Sequence, residues 1–600
     1  MKNKLQKYYY KNCIIIKKIF VLGIICLVSF MFGFKNTDVP GLYFDAVYPD
    51  YIGTIFAFPG IDNFYEITRC SFFPLLGNFY HGTISAMVQF LIQKVTGNAC
   101  VEMIWGTNLF VIALIQFIIF SFLYDNTKRF FLSLVMVLVP ITSDHIVGFS
   151  RTQFYIFLDG ALFIFIAMMF MYKLTLSLDE KDLIIAGLFH GLAFYGYFSY
   201  FIFIPVSIVY IAIIFKSKQI EKIFIFCWSV MLGAILYFWG YFDSLVINIF
   251  GKNNVQIMIS IGGALIILAV FLWIPATCII KRLHKYKKNI ITFGCIAITM
   301  AIITIITILV KYNDIIISRL EPLGTNMSGR ESEEVCGYLL IFWKYIYNLF
   351  CNSVCQELLI GEMLNKRGCF WIVIVLFANG ITILNIIIDI RNKIEMQHCI
   401  SAIIGINGYI LGAYVISLPV ISKLRTHHFT EFYFIIFALL GIEIAYLSSK
   451  VNIKKIVNIA FSFVVVVGVC LNGINNSLMY NKLEVTGGVD KFSTAFREYC
   501  ESSVTQNNSD NIIYIFPEWG FYAPFVYLTK NSYKAIRIEE LKKNDIQQYI
   551  ANGYKIKIIS WKIESIDAIC YDISGMKYGD AIFYTKDGYV SFYERTLWTQ

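Results

Sequence analysis

Stretches of apolar residues long enough to cross a bilayer recur through most of this chain, and nearly every second one ends in a cluster of Lys and Arg. No soluble fold has use for that pattern. A helix needs about 20 apolar residues to span the hydrocarbon core. Spans are read near Ile19–Phe34, Val101–Tyr124, Phe130–Thr142, Thr152–Tyr172, Leu183–Tyr200, Phe201–Phe215, Ile223–Gly240, Ile257–Ile280, Ile290–Val310, Phe370–Ile390, Ile400–Ile421, Phe432–Ser448 and Ile456–Gly473. The expectation is therefore a polytopic α-helical membrane protein of about thirteen transmembrane helices. Thr83–Val95 reads as a weaker apolar run, suited to a helix lying at the interface.

Charge sets the topology. Six lysines precede the first span, and Lys128 with Arg129, Lys173 with Lys181, Lys216 with Lys218 and Lys222, Lys281 to Lys288, Arg391 with Lys393, and Lys450 to Lys455 follow alternate spans. If the spans alternate, every cluster falls on one side, which by the positive-inside rule is the cytoplasm. The expected localisation is thus a cell membrane, with a cytoplasmic N-terminus and an extracytoplasmic C-terminal domain. The first span is read as a retained helix, because no small-x-small cleavage site follows it. The formal net charge of +10 comes from these clusters and from no basic domain, so nucleic acid is not an expected partner.

Two long segments then lie outside, residues 35–100 and 312–367, and the chain divides into a polytopic part, 1–475, and a tail, 476–600. The tail is polar and reads as a small α/β domain. NIIYIF is a buried strand, PEWGFYAPFVYLT a helix, IEELKKNDIQQYIANG an amphipathic helix stopped by Gly553, YKIKIIS a strand, and AIFYTKDGYVSFYE a hairpin turning at Asp587-Gly588. The 15 cysteines are scattered and form no CxxC pair. Cys351 and Cys355, with Cys336 nearby, could form an outer disulfide, although free thiols fit the odd total better.

The first outer segment is the place to look for chemistry, because long ordered loops are usually functional. Asp45 and Asp50 lie in YFDAVYPDYIG, just past the first span. A carboxylate there could deprotonate an acceptor hydroxyl or hold a divalent cation, or it could be a solvated loop acid or a helix cap. His81 follows in the same segment. Arg151 and Asp159 are eight positions apart, and Asp159 falls inside an apolar span, where an ionisable group is costly unless paired or functional. Asp144 and His145 belong to the same outer turn. Arg425, His427 and His428 form a basic cluster on the side where positive charge is disfavoured. Such a cluster suits a lipid phosphate, or pairing with Glu431. No P-loop, GxGxxG, HExxH or GxSxG is present, which argues against a nucleotide-driven cytoplasmic enzyme.

Three segments together resemble the GT-C superfamily of membrane glycosyltransferases, in the branch of glycosyltransferase family 39, the protein O-mannosyltransferases and the lipid A aminoarabinose transferases. They are FDAVYPD followed by PLLGNFYHGTISAMVQFLIQKVTG, then SRTQFYIFLDGALFIFIAMMFMY, and the PEWGFYAPFVYL opening of the tail. The resemblance is loose but spans most of the chain. Many relatives carry adjacent acids in the first loop, whereas Ala46 follows Asp45 here, which leaves the base and any metal open between Asp45 and Asp50. What the resemblance implies is transfer of a sugar from a polyprenyl-phosphate donor to a cell-envelope glycan, lipid or protein acceptor. Asp45 or Asp50 would act as base, and Arg425, Arg69, Arg151 and His427 would hold the donor phosphate. Asp159, Asp144, His145 and His81 are further polar candidates. The rival readings are a transporter or flippase of lipid-linked or small solutes, and a non-enzymatic assembly protein on the same fold.

Overall fold

The computed structural model describes residues 2–63, 73–78, 81–152, 154–215, 219–240, 335–351, 353–362, 367–392, 398–418, 421, 424–450, 454–504, 511–518, 520–541, 545–571 and 577–598. The expected spans at Ile257–Ile280 and Ile290–Val310 lie outside the described residues. Residues 1–244, 343–416 and 426–600 form one compact unit, and 245–342 with 417–425 form a second. In the second unit the described residues are the first half of one helix, Val335–Phe342, and a short segment before Thr426.

The polytopic part opens with α1 (Lys2–Gly33) and then three short elements of the outer segment, α2 (Phe44–Val47), α3 (Asp50–Ala57) and a two-strand ribbon, β1 (Leu76–Asn78) and β2 (His81–Gly82). The interfacial run becomes α4 (Ile84–Thr96), which packs on α3. Gly53 permits that approach, since a Cβ there would run into the Ala86 carbonyl. Next come α5 (Val101–Thr127), α6 (Phe130–Ile141), α7 (His145–Arg151), α8 (Phe154–Ser177), α9 (Glu180–Gly196), α10 (Phe203–Ile214) and α11 (Gln219–Gly233). After the undescribed stretch follow α12 (Val335–Phe350), α13 (Ser353–Ile360), α14 (Cys369–Arg391), α15 (His398–Ser417), α16 (Glu431–Leu447) and α17 (Lys454–Thr486).

Among the described residues, seven helices are long and apolar enough to cross a membrane, or eight with the bent pair α6 and α7 counted as one span. The shorter α9, α10 and α11 match further expected spans in position but are only 17, 12 and 15 residues long. The expected Phe130–Thr142 span was short because it is half of a broken one: α7 turns away from α6 by 62°. Pro140 and the Thr142–Asp144 turn make the break. The freed carbonyls are not left bare, which lipid would punish. Thr142 Oγ1 donates to the Val139 carbonyl and Ser143 Oγ to that of Pro140, both at 2.8 Å, while Asn472 of α17 reaches Val139 as well.

The helices expose apolar side chains outward, including Val373, Leu376 and Phe377 of α14 and Phe463 and Val466 of α17, so the surrounding solvent must itself be apolar. Helix α16 is buried along its whole length and forms the axis of the bundle. Small residues allow close helix crossings, as at α9 and α11, where a Cβ on Gly191 would strike the Val230 carbonyl. Among the described residues, basic side chains from three of the clusters lie at one end. There Arg129 donates to Ser448, Lys450 pairs with Asp389, and Lys222 pairs with Glu180.

The other end carries a mixed α/β domain. Its elements are α18 (Ala495–Tyr499), β3 (Ile512–Phe516), α19 (Tyr522–Leu528), β4 (Lys534–Arg537), α20 (Asp545–Ala551), β5 (Lys555–Ser560), α21 (Ile563–Cys570), β6 (Lys577–Tyr584) and β7 (Val590–Trp598). The sheet order is β4-β3-β5-β7-β6, with β3 parallel to β4 and β5 and the last strands antiparallel. Gly553 and Gly588 take positive φ where the chain turns. The amphipathic helix over Ile538–Gly553 is shorter than its pattern suggests: residues 538–540 form a 3-10 turn, and α20 starts at Asp545. Strand β4 is too short to show as an alternating pattern.

Candidate functional site

The part of the outer segment before Asn63 is held by the sheet domain. Asn63 Nδ2 donates to Asn531 Oδ1 at 2.8 Å and to the Tyr533 carbonyl at 2.7 Å, and Asn63 Oδ1 accepts from the Ala535 amide. Asn531 returns two bonds, to the carbonyls of Phe58 and Ile61. The Tyr51 ring meets Tyr522 edge-on at 5.9 Å, and Tyr43 lies 5.5 Å from Phe492. Val47, Tyr51, Ile52 and Ile55 thus share one apolar core with Phe516, Tyr522, Phe525 and Tyr527.

This clamp treats the two loop aspartates differently. Asp50, at the start of α3, is 1% exposed and sits close enough to Tyr527 to help push that phenol's pKa up, after burial itself. Asp45 is only partly buried, in the first turn of α2, three residues before Tyr48.

The Tyr48 ring leads into a polar cluster of which the sequence singles out His81, His427 and His428. His81 is buried and meets Tyr48 edge-on at 5.6 Å. It bridges Tyr197 through the backbone and lies 4.7 Å from that ring. The Tyr197 hydroxyl is 2.9 Å from His428 Nε2, and His427 stacks on His428 at 4.3 Å. Three elements converge here: the β2 ribbon, the break between α9 and α10, and the Thr426–Phe429 turn before α16. Tyr48 and Tyr197 were missed. The only sequence trace of Tyr197 is the FYGYFSYF run, in which α9 stops at Gly196 and the chain re-enters the membrane a few residues later.

Burial, and then the nearby His428 charge, hold the His81 pKa well below the ordinary imidazole value of 6.5. The folded protein therefore binds fewer protons at this site than the unfolded chain. His81 contributes stability above about pH 6.5 and loses it as pH falls below that value. The melting temperature at pH 5 should be lower than at pH 7.5, and His81→Phe should flatten part of that slope. Identical slopes for both proteins would refute the assignment.

Arg151 stands in a different environment. Its guanidinium is 1% exposed at the end of α7, lies 4.5 Å from the Trp105 ring, and donates to the carbonyls of Gly33, Lys35, Asn36 and Val39. Those four carbonyls belong to the end of α1 and the turn beyond it, which leaves the fork committed to the backbone. Asp144 accepts from Gln356 Nε2 at 2.8 Å, and the His145 ring stacks on Tyr433 at 4.5 Å while its Nε2 meets the Leu349 carbonyl. Both residues tie α7 to its neighbours. Glu431 is buried at the head of α16, and among the described residues its Oε2 has no hydrogen-bond partner. Arg425 is exposed. Arg69, and the side chain of Asp159, lie outside the described residues.

Below the polar cluster is an apolar cavity of about 110 Å³ between α5, α8, α10, α15 and α16. Phe122, Met168, Met171, Gly405, Tyr409 and Ile435 are among its lining residues. Tyr409 also lies near Glu431, so the cavity reaches toward the end that carries the histidines. Among the described residues no three His, Cys, Asp or Glu side chains gather as a metal site.

Fold and site together define a polytopic helical membrane protein whose outer segment, polar cluster and sheet domain meet at one end of the bundle. No protein-family model and no curated protein matches the chain. The chain is similar to a solved structure, the crystal structure of ArnT from Cupriavidus metallidurans bound to undecaprenyl phosphate. That likeness covers 96% of this chain and 97% of that one, at 11% identity and a TM-score of 0.40. A likeness of that extent carries no argument about this chain's chemistry.

Proposed function

We propose that this protein is a membrane glycosyltransferase of the GT-C kind, moving a sugar from a polyprenyl-phosphate donor to a cell-surface acceptor on the outer face of the membrane. The observation that carries this reading is the pairing, within one compact unit, of an apolar cavity among the spans with a His/Tyr cluster at the end capped by the sheet domain. A lipid-linked sugar needs both: an apolar slot for the chain and polar groups where the phosphate and sugar emerge. Asp45 is the better base of the two loop acids, because Asp50 is walled in by α19. Asp45 would take the proton from the acceptor hydroxyl as its oxygen attacks the anomeric carbon with inversion, and the polyprenyl phosphate would leave. His427, stacked on His428, would help hold that phosphate. In this reading Arg151 fixes the loop, and the sheet domain faces outward and positions the acceptor.

A cavity-filling change tests the reading. Met168→Trp should raise KM for a polyprenyl-phosphate sugar by roughly tenfold with little change in kcat, because it removes room for the chain and leaves the reacting groups alone. An unchanged KM would move the lipid elsewhere. One feature favours transport instead: Glu443 is fully buried in α16, and both its carboxylate oxygens lack a hydrogen-bond partner among the described residues. An acid at membrane depth is what an ion-coupled carrier uses. A carrier would show no sugar transfer in the same assay.

A further inference from the structure

The connection between α12 and α14 brings two cysteines together. Cys351 ends the α12 turn and is buried, and Cys369 begins α14. Their Sγ atoms are 2.9 Å apart, and the Tyr347 hydroxyl lies 3.3 Å from the Cys369 sulfur. Gly368 makes the approach possible, since a Cβ there would collide with the Phe350 carbonyl, immediately before Cys351. In the sequence free thiols fit better than the possible Cys351–Cys355 pairing, which would join near neighbours. Instead the partner is 18 residues away, across a loop that leaves and returns to the same point.

We propose that Cys351 and Cys369 form a disulfide in the mature protein. Two S–H bonds break and one S–S bond forms. The S–S bond of a thiol–disulfide oxidoreductase breaks in exchange, and the two electrons and two protons leave with that protein as its dithiol. The proposal rests on the outward orientation given above, because disulfides persist in oxidising compartments and not in the cytosol. The sulfurs are already closer than non-bonded atoms of that size sit, and a small side-chain adjustment reaches the bonded distance of about 2.05 Å.

The bond would close the loop that carries α13. Gln356 of that helix holds Asp144, its Leu359 and Ile360 pack into the core shared by the outer segment and the sheet domain, and Glu362 just beyond pairs with Lys482 of α17 at 2.9 Å. The disulfide therefore fixes the support beneath the outer segment. It takes no part in transfer.

The experiment uses the full chain, isolated from membranes after acid quenching and alkylation of free thiols. Digestion without reductant should yield a cross-linked peptide containing Cys351 and Cys369, which disappears on reduction and in Cys369→Ser. Reduction of the wild type should lower the melting temperature by several degrees and leave Cys369→Ser unaffected. Both thiols recovered alkylated would overturn the disulfide. An alkaline phosphatase fused after Gln600, active only outside the cytoplasm, reads the orientation separately. Free thiols with an active fusion sink the disulfide alone, and free thiols with a silent fusion sink the outward orientation with it.

Discussion

Asp45→Asn is expected to lower sugar transfer about a hundredfold or more while leaving the melting temperature within a degree or so of wild type. The amide keeps the shape and hydrogen bonding of the carboxylate but cannot take a proton. Asp45 is partly exposed in the first turn of a four-residue helix, and the isosteric amide keeps its place there. Asp50→Asn is the matched comparison. That side chain is packed under α19 next to Tyr527, so its replacement should act on stability before it acts on transfer. The measurement is initial rate with a polyprenyl-phosphate sugar alongside thermal unfolding in detergent. Transfer that survives Asp45→Asn but not Asp50→Asn would move the base five residues along the loop.

Arg151→Leu should have the largest effect on folding of any single change in the membrane part. It would strip the hydrogen-bond donors from four carbonyls at the end of α1 and remove a cation held over Trp105. Each buried carbonyl left without a donor costs about 1–3 kcal/mol. The expected result is little or no folded protein by size-exclusion chromatography. Arg151→Lys should recover only part of it, because one ammonium cannot reach carbonyls spread around a planar fork. Normal yield of folded Arg151→Leu with transfer lost would return this residue to the donor phosphate.

Much of the architecture is legible in the sequence because lipid permits so few alternatives. Apolar length alone gave α1, α5, α8, α14, α15, α16 and α17 to within a few residues, apart from the long polar ends of α1 and α17, and alternating charge put Arg129, Lys222 and Lys450 at one end. The hairpin at Gly588 and strands β3 and β5 follow from turn chemistry and β-branched runs. What hydropathy could not show is a break inside a span. The α6–α7 bend depends on Thr142, Ser143 and Asn472 satisfying carbonyls, and Asn472 arrives from a helix some 330 residues later. The polar cluster was obscure for a similar reason. His81 and His428 are noticeable as residues, but Tyr197 acquires a role only when a strand, a helix break and a turn converge on it. Arg151 shows the opposite failure. An arginine on the outer side reads as an anion site until the carbonyls of Gly33 to Val39 are seen around it.

The bonds between Asn63 and Asn531 join residues 468 positions apart. A ribosome adds about 5–20 residues per second, so the segment carrying Asp45 is made roughly half a minute to a minute and a half before its cover exists. During that interval Val47, Tyr51 and Ile55 have no partner from the sheet domain, and the membrane surface is the nearest apolar phase. The segment that carries Asp45 is thus among the first parts of the chain to be made and among the last to be finished, so its assembly depends on completion of the C-terminal domain.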